Sequence, residues 1–434
     1  MFVVRKELMI YFKYIFAIWA VFMLNVVHSK AQNTEDGNDM ASYQYDSVKV
    51  RIALITCDPG PDAYQMFGHS AIRVTVIDNP QYDIVYNYGV FDSRRDNFIY
   101  AFVKGETDYV LAAEPAEWFF SKYNDGFGIN VYEQVLNLDH DQKWKLVKML
   151  ENNALPQNRT YRYNFLYDNC TTRARDIIEK AVEQEGGEIV YQGNVNQNTD
   201  TSFRDLIHVY TNNAPWLQFG IDFLLGQEVD KKRSDRELMF LPLRLKKHIA
   251  TANRFQKMDI KGLVVQQEIT KEATTDMNTT PDFPLSPLVT FSIVLMITIA
   301  LCLFDIKRGK LSLWADIAGL FVRGLAGFII AFLFFFSKHP AVGSNWLILA
   351  FNPLAFFIIP DIVFSNWQQR FMKAVKIRGK KYDIFELVNL AVLVFTLVLF
   401  VLPLQRLNIA MLPLVLTLLI RSLTRIKLMG YNKQ

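Results

Sequence analysis

At 434 residues and a formal net charge of only +4, the chain has no basic excess of the kind that tracks a nucleic-acid backbone. It is 51% hydrophobic and 14% aromatic, with 34 Phe, which is rich for a soluble protein and too polar for one wholly embedded in lipid. The apolar residues are unevenly spread, so the average hides two different halves.

The first segment, residues 1–31, reads as a secretory signal. Arg5, Lys6 and Lys13 precede the apolar run "YIFAIWAVFMLNVV", and "SKAQ" offers cleavage after Ala31. The alternative is an uncleaved anchor helix, but the run is short for a span that needs about 20 apolar residues. Residues 32–265 have the pattern of a soluble domain. "VRIALIT" is β-branched and apolar and is expected to be a strand. "HSAIRVTVID" and "YDIVYNYGVF" alternate and suggest an antiparallel hairpin across Asn79-Pro80. "NFIYAFVKG" and "GINVYEQVLNL" continue the β-rich pattern. "DHDQKWKLVKMLENNAL" is expected to be a helix with an Asp cap and with Trp144, Val147 and Leu150 on one face. "CTTRARDIIEKAVEQEGG" reads as a second helix ending at Gly186-Gly187, with Cys170, Ala174, Ile177 and Ala181 on one stripe.

Beyond the soluble part, residues 266–286 lack apolar periodicity and read as a linker. Residues 287–434 hold five apolar segments, near Leu288–Phe304, Leu313–Phe336, Trp346–Phe364, Ile384–Leu402 and Ile409–Leu423. Each is long enough, or nearly so, for a hydrocarbon core of about 30 Å, where only a helix satisfies its own backbone. The basic loops "DIKRGK" and "QQRFMKAVKIRGKKYD" and the basic tail fall on one side if the five alternate. That side is expected to be cytoplasmic, which places the soluble domain in the periplasm of a bacterial inner membrane. Asp316, Arg323, Asn352 and Asp361 are costly in lipid and are expected to face partners or a cavity.

Cys170 falls on the buried stripe, so it reads first as a small core residue. A disulfide with Cys57 is also open in an oxidising compartment. Its position favours a third role. Asp168 or Asn169 caps the helix, which puts the thiol in the first turn, where backbone N–H groups and the helix dipole favour a thiolate. Arg173, one turn on, adds positive charge. A thiol nucleophile wants a base, and His69 in "MFGHSAIRV" stands at a strand head after Gly68. His140, His208 and His248 read as solvated or structural. A strand-head His and a helix-head Cys are the papain-like arrangement. Asn87 is either the group that orients the imidazole or an ordinary sheet residue, with Tyr88 beside it. Tyr163 and Asn169 stand close before the cysteine as orienting or oxyanion candidates. Arg173, His339, Asn345 and Asn352 are candidate substrate-binding residues, with His339 and Asn345 placed to line a lipid or lipoprotein entrance. "APWLQFGIDFLLG" and "ELMFLPLRLKK" fit either a membrane interface or internal packing. No metal-ligand cluster is visible, and no cofactor is expected.

The motifs "FGHSAIRV", "VYNYGVFD", "YNFLYDNCTTRARD" and "MFLP", with "SKHPAVGSNW" and "FNPL" further on, resemble the Bacteroidota-type lipoprotein N-acyltransferase family, often called Lnb. The resemblance implies an α+β permuted papain-like soluble domain followed by an all-α five-helix transmembrane domain. It implies transfer of an acyl chain from phospholipid, through a Cys170 thioester with His69 as base, to the N-terminal amine of a diacylated lipoprotein. Lecithin:retinol acyltransferase shares the order of His before Cys and also takes acyl chains from phospholipid. Two other functions fit parts of the same features. A membrane-tethered cysteine peptidase or amidase acting on cell-wall peptide would use the same Cys and His but leaves five helices as an oversized tether. A non-catalytic envelope sensor needs Cys170 only as a packed or paired residue.

Overall fold

The computed structural model describes residues 49–60, 62, 64–79, 81–91, 98–257, 259–271, 284–360, 380–402 and 404–431. The signal at 1–31, Asp361, and most of the linker and of the basic loop after the third apolar segment lie outside the described residues.

The soluble half is built on a seven-stranded antiparallel sheet. Its strands are β1 (Val50–Cys57), β2 (His69–Val76), β3 (Asp83–Val90), β4 (Asp108–Pro115), β5 (Val131–Leu136), β6 (Thr160–Arg162) and, last in the chain, β12 (Val264–Lys271). The order across the sheet is β12-β5-β1-β2-β3-β4-β6. Smaller ribbons pair β7 (Gly187–Val190) with β10 (Asn253–Gln256) and β11 (Asp259–Gly262), and β8 (Asn198–Ser202) with β9 (Lys232–Ser234). The expected strands at "VRIALIT", "HSAIRVTVID" and "YDIVYNYGVF" are β1, β2 and β3; β2 and β3 form the expected antiparallel hairpin, and β1 pairs antiparallel with β2 on its other side.

The period-2 pattern gives the sheet two apolar faces. Ile52, Leu54, Ile72, Val74, Tyr86 and Tyr88 face the helices His140–Ala154 and Cys170–Gln184. Ile55, Cys57, Ala71 and Val85 face the other way, under Phe119. Asp139 caps the first helix with a full capping box, and Trp144, Val147 and Leu150 are buried. The Cys170 helix buries Cys170, Ala174, Ile177 and Ala181 as expected and ends at Gln184, just before the two glycines.

Two expectations need correction. "NFIYAFVKG" is not a strand: Phe98–Lys104 is a short helix. Its aromatic residues do not join the sheet; Tyr100 lies against Phe332 of the second apolar helix. The strand in this region is instead β4, which "DYVLAAEP" supplies. The stretch read as linker begins with β12, whose "QQEITK" residues pair with β5 and extend the sheet by one edge strand.

The C-terminal region is helical. Among the described residues, two helices are long and apolar enough to cross a membrane, Pro287–Arg308 and Leu313–Phe336. The third apolar segment is a short helix, Leu347–Ala350, then a turn at Phe351–Leu354 and a further helical stretch over residues 355–360. Pro353 stands in that turn, where the missing N–H and fixed φ break the helix. The described residues further include the helices Lys380–Val398 and Met411–Tyr431.

The helices are joined by a buried charge network. Arg421 donates to Asp305 and to both oxygens of Asp316 at 2.7–3.0 Å. Arg425 pairs with Asp316 and Glu386, each at 3.1 Å. Asp316 therefore pairs with the last helix and not with Arg323, whose Nε donates to the Ala350 carbonyl at 2.6 Å.

The two halves meet through backbone. Gly226 N–H donates to Ala341 O at 2.8 Å and Gln227 N–H to Ser344 O at 3.1 Å. A Cβ on Gly226 would lie 2.5 Å from the Ser344 carbonyl carbon, so no side chain fits there. The helix Pro215–Leu224, the "APWLQFGIDFLLG" stretch, lays Phe219 on Phe291 and Phe223 on Phe351, rings from the membrane half. "ELMFLPLRLKK" is internal packing: Met239, Phe240, Leu241 and Leu245 are all buried.

Candidate active site

Cys170 and His69 come from the two elements where the sequence places them. The cysteine is the first residue of its helix and the histidine the first residue of β2. Two contacts tie the elements together. Ser70, pointing to the opposite face from His69, meets the Thr171 hydroxyl at 3.1 Å. The Ser70 backbone N–H is hydrogen-bonded to the Cys170 sulfur. Cys57, Cys170 and Cys302 are all free thiols, so no disulfide holds Cys170.

Gly89 sits at the crossing. A Cβ there would lie 3.6 Å from Cys170 Cβ, 3.8 Å from His69 Cε1 and 3.8 Å from Tyr163 Cε2. Its φ of +88°, in a register shift of β3 against β4, is one that L side chains avoid. The absent side chain lets a helix on one face of the sheet approach a histidine that belongs to the other.

The imidazole is held on three sides. Nε2 meets Asn87 Oδ1 at 2.6 Å, and the ring stacks on Tyr123, centroids 5.5 Å apart and nearly parallel. Cys170 is hydrogen-bonded to the same ring. With Nε2 taken by Asn87, Nδ1 is the nitrogen left for sulfur. The Asn87 amide is itself oriented. Its Nδ2 donates to Glu114 Oε1 at 2.7 Å, so its carbonyl oxygen, not its NH2, faces histidine. The His69 Nε2 therefore carries a proton that it donates to Asn87. Glu114 was not anticipated from the sequence. Its signal is one of register: Val85 pairs with Glu114 across β3 and β4, two residues from Asn87 on the same face.

The electrostatics favour an ion pair. Burial alone would push the Cys170 thiol up, but the charge and hydrogen bond of His69, the Ser70 N–H and the Thr171 hydroxyl outweigh it and hold it below the ordinary thiol range. Burial likewise pushes His69 down, and the Cys170 charge and the bonds to Cys170 and Asn87 carry it above the ordinary histidine value. Both shifts run toward the thiolate–imidazolium form of the pair. Cys57, the direct cross-strand partner of His69, behaves oppositely: burial, then the charges of Cys170 and Asp58, push its thiol well up. Tyr163 packs beside Cys170, stacked on Tyr109 at 4.2 Å. Burial, then the Cys170 charge, push its phenol well up, so it stays a donor.

The comparisons with known proteins match both halves to one family. Residues 38–194 match the Lnb N-terminal periplasmic domain, and residues 278–434 match the Lnb transmembrane domain. The chain belongs to the Lnb family. It is a membrane protein with a periplasmic N-terminal part. No curated protein and no solved structure matches it.

Within this Lnb-family chain, the remaining candidates lie away from the sulfur–imidazole pair or are occupied elsewhere. Tyr88 is on the opposite sheet face from Asn87, and its hydroxyl accepts from Asn153 at 3.0 Å. Asn169 is the helix cap. Its Oδ1 accepts from Thr171 and Thr172 N–H, and its Nδ2 donates to the Phe165 and Phe240 carbonyls, which leaves it nothing to offer a substrate. Arg173 is locked in a two-pronged pair with Asp168 at 2.6 and 2.8 Å and lies 3.6 Å over the Tyr161 ring, so its charge is already matched.

Of the membrane-side candidates, His339 and Asn345 bond the periplasmic half, and Asn352 bonds within the membrane half. His339 Nε2 bonds the Phe102 carbonyl at 2.9 Å. Asn345 donates to the Phe223 and Leu224 carbonyls and accepts from Leu347 N–H and Gln405. Asn352 donates to Leu349 O at 2.9 Å. The other histidines are placed elsewhere: His208 meets Asp222 at 2.8 Å, His248 borders Asp235 and His140 lies edge-on to Trp144. Among the described residues no three His, Cys, Asp or Glu side chains gather as metal ligands would.

Proposed function

We propose that the chain is a lipoprotein N-acyltransferase that works through a Cys170 thioester. The observation that carries this is the Cys170–His69–Asn87–Glu114 chain, set in a family that couples a periplasmic domain to a membrane domain. The Cys170 thiolate attacks the ester carbonyl carbon of a phospholipid. The tetrahedral oxyanion is met by the Cys170 N–H, since Asn169 takes those of Thr171 and Thr172, and by the Tyr163 hydroxyl. His69 gives its proton to the departing glycerol oxygen, lysophospholipid leaves and the acyl group stays on sulfur. The α-amine of a lipoprotein's first cysteine then attacks the thioester carbonyl. His69 takes the amine proton as thiolate leaves, and the pair is restored with a triacylated lipoprotein as product. Thioester fits this step because it is more reactive toward amines than an oxygen ester. No cofactor enters the scheme.

We also read the soluble half, nominally 32–265, as a permuted papain-like domain, because the histidine strand precedes the cysteine helix. The C-terminal half, 287–434, is read as five spans with the terminus in the cytoplasm. The test is mass spectrometry of lipoprotein N-termini from cells carrying the wild type or Cys170→Ser. Loss of the N-acyl group, with the variant still folded and inserted, is the expected result. Unchanged triacylation would favour a non-catalytic envelope role. A trapped acyl-Cys170 that only hydrolyses would favour a peptidase or amidase.

A further inference from the structure

We propose that the Phe98–Lys104 helix of the periplasmic domain is embedded in the outward leaflet of the bilayer and is the sill over which the phospholipid donor enters the site. This rests on the acyltransferase reading above and adds where the donor comes from. The Leu313–Phe336 helix has 24 residues. At 1.5 Å per residue a helix of this length spans about 36 Å, against a hydrocarbon core of about 30 Å. Its last residue then lies about 3 Å outside the core, and Phe332, four residues back, about 3 Å inside it. The Tyr100 ring stands 6.1 Å from the Phe332 ring, which in turn is 5.6 Å from Phe336. Tyr100 is thus at the boundary depth, where an aromatic body with a polar tip is stabilised.

The surroundings fit that depth. Tyr100 is 56% exposed and Phe102 47%, and Phe335 and Phe336 at the end of the spanning helix are exposed as well. Lys104 and Lys338 both pair with Glu106 at 2.9 Å, just past the aromatic stretch, where cations reach headgroup phosphates. The position is fixed by backbone: Lys338 N–H donates to Lys104 O and Ser337 Oγ to Val103 O, each at 2.8 Å. The same segment leads to the site from both ends. β3 before it carries Asn87 and Gly89, and Thr107 after it accepts the Tyr163 N–H at 3.5 Å.

Depth and traffic are tested separately. A fluorophore is attached to Tyr100→Cys in the full chain with Cys170→Ser, Cys57 and Cys302 being buried. The protein is placed in nanodiscs of phosphatidylethanolamine and phosphatidylglycerol. Lipids with a nitroxide high on the acyl chain should quench position 100 while aqueous iodide does not. Ile77→Cys, on an exposed turn, should show the reverse. Iodide quenching at 100 equal to that at 77 overturns the proposal. In the second arm, Tyr100→Glu with Phe102→Glu should lower acylation of Cys170 from bilayer lipid at least tenfold. Acylation by a soluble short-chain ester should stay within twofold of wild type. Equal effects on both donors, or on neither, overturn the entry role. Failure of wild-type Cys170 to accept acyl from either donor would sink the thioester reading instead, and the quenching result would still decide whether the helix is embedded.

Discussion

The Asn87 side chain does two jobs with two atoms. Its oxygen holds the proton on His69 Nε2, and its nitrogen is fixed by Glu114. Asn87→Ala removes one of the bonds that raises the His69 pKa. Activity needs imidazolium, which is present below the histidine pKa, and thiolate, which is present above the cysteine pKa. The alkaline limb of the pH–rate profile should therefore move to lower pH, with a loss of roughly 100-fold in kcat. Glu114→Gln keeps an acceptor for the Asn87 amide and should retain most activity. Glu114→Leu lets the amide turn over and should resemble Asn87→Ala in its pH profile. Rates of Cys170 acylation across pH check both. Cys170 and His69 were legible in the sequence because a cap, a turn and a strand head are local patterns. Glu114 was not, since "AAEP" carries no mark of the strand it lies beside. Arg173 is a different case: its partner Asp168 stands only five residues away, and the two-pronged pair between them matches its charge.

The Cys170 helix begins where it does because Asn169 fixes four backbone groups at once. Two N–H groups of the helix and two carbonyls, Phe165 and Phe240, converge on its amide. The first pair is an ordinary cap, and the second ties the loop before it, through Phe165, to the distant Phe240. Asn169→Ala should cost the cap, about 1 kcal/mol, and further stability for the two carbonyls left without donors. A total of about 2–4 kcal/mol is expected. Thermal unfolding measures it, and Asn169→Asp, which keeps the cap and loses the amide donors, should fall between. Elements with strict alternation or one polar face were readable from sequence: β1 to β3 and the two long helices of the soluble half. The Phe98–Lys104 helix was not. Its aromatic and β-branched residues carry strand propensity, and what overrides it is contact with the Leu313–Phe336 helix, more than two hundred residues away.

Across the molecule, buried charge joins what apolar packing leaves loose. Arg421 holds Asp305 and Asp316 from separate helices. Replacing it with Leu takes one arginine from each of two buried carboxylates, leaving Asp316 with Arg425 and Asp305 with Arg308 and Ser312, at a cost on the order of 3 kcal/mol. The variant should lose thermal stability in detergent and become sensitive to protease within the membrane half, whereas Arg421→Lys, which keeps the charge, should lose less. These pairings join residues more than a hundred positions apart, which is why Asp316 stood out in the sequence as a costly residue while its partner did not. At this scale the glycine at 226 sets a further condition. The two halves touch there peptide against peptide, with no flexible side chain between them to take up slack. The altitude of the thiolate above the lipid is therefore a property of bonded geometry and not of a tether's length. Grafting the soluble half onto a single foreign anchor would leave the sulfur and its imidazole whole, yet at no fixed height from the esters they would have to reach.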